Sequence, residues 1–210
     1  MDFFRVCTLI DFVTAIMIYF IFFLPKWNHN LYECLVKSLL YSYGYCVLCV
    51  TLIIPIIIPI PFVNIDLSHI HANLVPFIDY FNENGDFIRQ IVLNILMLVP
   101  FGIMYPFIYH KDLKSTVFSG FMLSCSIEIV QLFSARQLSS CDITDVITNT
   151  FGVWIGYIFY RLFGKQVKQA LQFLSHKKMK TFTVRKTWKR VIVIFIIVQL
   201  FIRSIIVYVL

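Results

Sequence analysis

Hydrophobic residues along this chain come in long runs. Phe3–Leu24, Leu35–Ile54, Ile91–Ile108, Ser115–Phe133, Val146–Leu162 and Val191–Leu210 are each close to the roughly 20 residues a helix needs to cross a bilayer, and more polar stretches separate them. The pattern predicts an all-α protein, a polytopic transmembrane helical bundle of about six spans. The organisation that follows is two N-terminal spans over 1–62, a three-span core over 63–162, a basic cytoplasmic linker over 163–190 and a last span over 191–210. Asp11 interrupts the first apolar run and no small-x-small cleavage site follows it, which favours an uncleaved helix over a signal peptide. Pro55, Pro59 and Pro61 end the second span or kink it. Pro100 is expected to kink the third. The stretch 63–90 carries a turn signal at Asn82-Glu83-Asn84-Gly85. Its middle, Asn73-Leu74-Val75-Pro76-Phe77, is too apolar for a purely solvated loop and is expected to lie partly in the membrane interface.

Composition agrees with the pattern. The 210 residues are 60% hydrophobic and 14% charged, against about 25% charged in a soluble domain. Mean hydropathy is +0.83. The net charge of +7 does not point to nucleic acid, because ten of the 18 basic residues lie between Arg161 and Arg190, beside apolar segments. There they read as a membrane-surface flank. Within that flank, the spacing around Val167–Leu174 fits an amphipathic surface helix. Cys46 and Cys49 form a C-x-x-C inside an apolar run without a βαβ context, so they read as small hydrophobes. No cofactor and no metal site is expected, and the partners implied are membrane lipids.

The basic residues also orient the chain. With 163–190 on the cytoplasmic side, alternation puts the loops at 25–34 and 109–114 inside, with Lys26, Lys111 and Lys114. The acidic 63–90 loop and the 134–145 loop then face outward, as the excess of Lys and Arg in cytoplasmic loops requires.

That orientation gathers the candidate chemistry at the outer face. Glu128 and Gln131, three apart, project from one helical face. Asp142, Asp145, Asn149, Gly152 and Gly156 step by three and four and line one face of the next span. Glu128 sits roughly 7 Å below Phe133 at 1.5 Å per residue, and Asn94 opens the third span at the same face. An acid inside an apolar span is costly and marks either a function or a partnered site. The competing reading is that these groups only hydrogen-bond neighbouring helices and fix the bundle. Gly152-x-x-x-Gly156 suits a close helix contact. Away from this group, Asp11 and Arg203 lie at matching depths in the first and last spans, which suggests that those spans touch and that the two charges pair. His69 and His71 form an outer pair read as ordinary interfacial residues.

The segments Asn73-Leu74-Val75-Pro76-Phe77, Asn94 through Pro100 to Gly102, Glu128-Ile129-Val130-Gln131, Arg136, and Asp142 through Asp145 and Asn149 to Gly152 resemble the VanZ-like family. The resemblance covers roughly 63–162 and shows no departure at the motif positions. It implies a multi-pass protein of the bacterial cytoplasmic membrane, associated through the family name with teicoplanin resistance. It also implies a binding site at Asn73, Pro76, Asn94, Glu128, Gln131, Arg136, Asp142, Asp145 and Asn149.

Two function classes follow. In one, a non-enzymatic envelope protein uses an outward polar pocket to bind or shield a lipid-linked cell-wall precursor or a lipoglycopeptide. In the other, a membrane enzyme modifies a lipid head group, with Glu128 as general acid or base and Asp142 or Asp145 assisting. The absence of a Ser-His-Asp set, an H-E-x-x-H or a phosphate-cradling glycine loop from the sequence leans against the enzyme. A third reading is an adaptor that assembles a membrane complex through the Gly152/Gly156 face.

Overall fold

A computed structural model describes residues 3–27, 30–51, 72–78, 86–132, 141–175 and 186–209; at 3–8, 72, 130, 132, 141, 172–175, 186 and 200–209 the description is of the backbone. The chain is a helical bundle with, among the described residues, one minimal pairing of strands. The elements in order are α1 (Phe3–Ile18), a π-helical turn (Tyr19–Phe23), α2 (Leu24–Trp27), α3 (Leu31–Thr51), β1 (Ala72–Asn73), α4 (Phe87–Tyr109), α5 (Leu113–Leu132), β2 (Cys141–Asp142), α6 (Ile143–Ser175) and α7 (Lys186–Val209). Contacts divide it into one unit of 1–65, 133–135 and 171–210 and a second of 66–132 and 136–170.

In the first unit the apolar run continues through Pro25 to Trp27, because the helix widens before the proline. Leu24 N–H bonds to Tyr19 O, five residues back, and Pro25 itself has no N–H to place. Asn30 caps α3, accepting Glu33 N–H at 2.7 Å. Aromatic rings seat α3 on this helix: Tyr41 lies 5.4 Å from Tyr19 and 5.1 Å from Phe23, centroid to centroid. Tyr41 donates its hydroxyl to Ala15 O at 2.7 Å, and the Tyr19 and Ser38 hydroxyls bond at 2.6 Å. α7 packs on α1, as expected for the first and last spans. Thr14, whose hydroxyl donates to Ile10 O at 2.7 Å, lies 3.3 Å from the Gln199 amide oxygen. The Arg203 side chain lies outside the described residues, so the pairing with Asp11 stays an expectation. Cys46 and Cys49 both carry free thiols.

In the second unit α4 and α6 run parallel and nearly touch, with α5 antiparallel to both. A Cβ at Gly152 would collide with Ile95 O, one at Gly156 with Val99 O, and one at Gly102 with Val153 O. The Gly152-x-x-x-Gly156 face is therefore a packing seam against α4, and Gly102 completes it. Small residues are what lets two backbones approach this closely. Gly120 of α5 takes the Val153 side chain.

Three described helical stretches are long and apolar enough to cross a membrane: Leu9–Trp27, Leu31–Thr51 and Phe87–Tyr109. α5 and α6 hold more polar residues, but they hold them inside. Thr116, Ser124, Glu128, Thr148 and Asn149 are buried, while Phe118, Met122, Ile129, Phe151, Trp154 and Ile158 are exposed. Apolar outside and polar inside is the arrangement of a bundle solvated by lipid.

The expected linker at 163–190 is partly helix. α6 runs without interruption from Ile143 to Ser175, and α7 begins at Lys186. No proline intervenes, and Lys165, Gln166, Lys168, Gln169, Ala170 and Leu171 are good helix formers, which outweigh the cost of about 1 kcal/mol for Gly164. The Val167–Leu174 stretch is thus helical, but as the continuation of α6. The three prolines at 55, 59 and 61, the His69/His71 pair and the turn at 82–85 lie outside the described residues.

Candidate functional site

The site is built where the start of α6 meets the end of α5, the start of α4 and the segment 72–78. β1 pairs in parallel with β2, Ala72 opposite Cys141 and Asn73 opposite Asp142. Two residues per strand bring segments some 69 positions apart into register, and side chains then lock them. Asn73 Nδ2 donates to Asp142 Oδ2 at 3.2 Å. Phe77 N–H donates to Thr144 Oγ1 at 3.0 Å, with Phe77 in the left-handed region at φ 59°. That conformation is uncommon for a bulky residue, and it turns the chain after Pro76, which is itself exposed.

Asp142 is the N-cap of α6. Its Oδ1 accepts Thr144 N–H at 2.7 Å, which satisfies one of the free donors of the first turn. Its own backbone N–H donates to Glu128 Oε2 at 3.0 Å. Glu128 is 2% exposed, so this carboxylate reaches from inside the bundle to hold the helix start. Asp145, one turn on, accepts Asn94 Nδ2 at 2.6 Å and ties α4 to α6. Deeper still, Asn149 Nδ2 donates to Ser124 Oγ at 3.0 Å. Asn149 is 1% exposed and Ser124 fully buried. The other end of that amide, Asn149 Oδ1, has no hydrogen-bond partner among the described residues. A buried acceptor left open is unusual and calls for a donor from elsewhere.

Six of the nine expected residues are therefore bonded at the start of α6, in three sets: Asn73–Asp142–Glu128, Asn94–Asp145, and Asn149 with Ser124. Pro76 contributes through the turn that presents Phe77 N–H. Gln131 is half-buried in the last turn of α5, one turn beyond Glu128. Arg136 lies outside the described residues. Two contributors were not anticipated, Ser124 and Thr144. Ser124 stands four residues before Glu128 on the same face of α5, and that spacing is the signal that would have found it. Among the described residues no group of three or more His, Cys, Asp or Glu side chains could hold a metal ion.

The chemistry available is that of a partly buried hydrogen-bonding cluster. Both oxygens of Asp142 and one each of Asp145 and Glu128 are taken by donors of the protein itself.

The VanZ/LLP1 family profile matches residues 12–164, well over half of the chain. Over 99 residues the chain is 34% identical to Protein VanZ of Enterococcus faecium, a match that covers 46% of this chain and 56% of that protein. The chain thus spans about half the length of that relative. No solved structure matches. The family match covers the whole α4–α6 unit up to Gly164 and includes every residue of the site: the chain belongs to the VanZ/LLP1 family.

Proposed function

We propose that this protein crosses the bacterial cytoplasmic membrane six times and that its polar site faces outward. There it binds or shields a membrane-associated cell-wall precursor or a lipoglycopeptide, and so contributes to teicoplanin resistance. The observation that carries the reading is Asn149 Oδ1, buried and without a partner among the described residues, beside a Glu128 held by the α6 start. A buried acceptor left open suits a ligand that brings its own hydroxyl or amide N–H, as a sugar or peptide head group does. Teicoplanin differs from vancomycin by a fatty acyl chain, so protection at the membrane surface would act on it selectively. Each of the three carboxylates already holds a donor of the protein itself, which supports a fixed binding role over one that needs a carboxyl free to exchange a proton.

The test is a deletion and re-expression series, challenged with teicoplanin and vancomycin side by side. A change in teicoplanin susceptibility alone, restored by re-expression, supports the reading. Equal changes for both drugs, or none, would remove it. Labelling with an impermeant maleimide of a variant retaining only Cys141 checks the orientation: reaction in intact cells is expected.

A further inference from the structure

At the other end of the same three helices lies a cavity of about 540 Å³ that plays no part in the site above. Along α6 it is roughly 24 Å from Asp145 to Arg161 at 1.5 Å per residue. It opens between the end of α4, the connection to α5 and the middle of α6. Lys111, Arg161, Lys165 and Lys168 line it, with Asp112 as the single carboxylate of the lining. Arg161, Lys165 and Lys168 step by four and three, so one helical face carries all three. Lys111 comes from the opposite wall, swung there by His110, which ends α4 in the left-handed region at φ 52° with its N–H on Pro106 O at 2.9 Å.

Among the described residues none of these four cations has an ion-pair partner. The one acid is already engaged: Asp112 Oδ1 accepts Ser115 N–H at 3.2 Å as the cap of α5, and those hydrogen bonds hold its carboxyl below the usual range. The inner wall is aromatic. The Tyr157 and Tyr160 rings lie 5.7 Å apart, and Phe107 meets Tyr160 edge-on at 6.5 Å. Gly164 shapes this wall, because a Cβ there would come within 2.8 Å of the Tyr160 ring. Tyrosines at the end of a span, under a fork of Arg and Lys, are suited to a ligand that is anionic at its head and apolar below.

We infer that this cavity binds a lipid bearing a terminal phosphate, with Arg161, Lys165, Lys168 and Lys111 around the head group. Four cations against one occupied carboxylate match a phosphate monoester of charge near −2 better than a singly charged diester. Arg161 supplies the paired N–H geometry for two phosphate oxygens, and the lysines act as point charges. On the orientation proposed above, the lipid is drawn from the cytoplasmic leaflet. The assignment of the phosphate does not depend on that orientation, or on any role in resistance.

The experiment uses the purified full chain in neutral nanodiscs of phosphatidylcholine, doped with phosphatidic acid or with phosphatidylglycerol. Phosphatidic acid is expected to raise the apparent melting temperature more than phosphatidylglycerol at equal mole fraction. Inorganic phosphate added to undoped discs is expected to give no such rise. The triple variant Arg161→Gln, Lys165→Gln, Lys168→Gln is expected to lose the difference between the two lipids, while Lys114→Gln, outside the cavity, keeps it. Equal shifts with both lipids in the native chain would overturn the assignment, and so would protection by inorganic phosphate alone. If the triple variant does not fold, Gly164→Val, which pushes into the cavity wall at Tyr160 without changing charge, must also lose the difference. Retention there would contradict the proposal.

Discussion

The two units of this protein hold their helices together in opposite ways. In the first, large rings stand between α1, α2 and α3, and hydroxyls of Tyr19 and Tyr41 fasten the edges. In the second, glycines bring α4 and α6 almost into backbone contact, and carboxylates and amides are buried at the seam's end. Ring packing is adjustable, because rings can shift or be replaced by other apolar groups. A glycine seam is not, since any added atom meets a carbonyl of the neighbouring helix. The second unit is therefore the rigid one, and rigidity is what a polar site needs to keep its groups aimed.

The largest expected effect follows from that seam. Gly156→Leu places a side chain against Val99 O and the Gly102 Cα. Overpacking of this kind costs about 1–3 kcal/mol or more, and we expect loss of folded protein from the membrane fraction, measured by quantitative immunoblot and melting in detergent. A fully stable Gly156→Leu would mean that α4 and α6 are not in contact. Next in size is Glu128→Ala, which leaves the half-buried Asp142 N–H without its acceptor at a cost of about 1–3 kcal/mol. Glu128→Gln keeps an acceptor oxygen and is expected to melt close to the native chain. If Gln is as damaging as Ala, charge rather than the hydrogen bond holds the start of α6.

In the first unit, Tyr41→Phe removes one hydroxyl bond to Ala15 O and is expected to cost about 1 kcal/mol or less. A loss as large as that of Gly156→Leu would erase the contrast between the units. The smallest effect is one of pH. Asp112 caps α5 and its carboxyl is held below the ordinary carboxylate value by the Ser115 bonds. Its contribution is present above that ordinary value and fades as pH falls through the lowered one. Asp112→Asn should thus lower the melting temperature slightly near neutral pH, and the difference should fade in acid, where the native carboxyl is protonated.

Much of this was legible in the sequence where a period or a length carries it. The apolar runs became helices, and the three-and-four spacing from Asp142 to Gly156 placed both the site and the seam on one face of α6. Asn94 and Glu128 were marked because a polar group in an apolar run is costly enough to need a reason. The β1–β2 pairing was not legible. Two residues on each side have no periodicity, and their meaning lies in a partner 69 positions away. Ser124 and Thr144 carry no such mark, because serine and threonine are common in membrane helices and usually bond their own backbone. The extension of α6 was hidden by its composition: basic residues past Leu162 mark the end of a span, yet they are good helix formers and the hydrogen-bond ladder simply continues.

The central claim is that the buried polar group in the second unit serves a ligand and does not merely hold the bundle. Asn149→Ala separates the two. It deletes the bond to Ser124, worth about 1 kcal/mol, and also deletes the open acceptor Oδ1, whose burial costs about 1–3 kcal/mol. The fold should therefore be little changed while the ligand loses its anchor. The measurement is teicoplanin susceptibility of cells carrying Asn149→Ala at native membrane abundance, with melting temperature measured on the same variant. The account predicts lost protection at near-native melting. Protection retained at equal abundance, or lost only together with the folded protein, would contradict it.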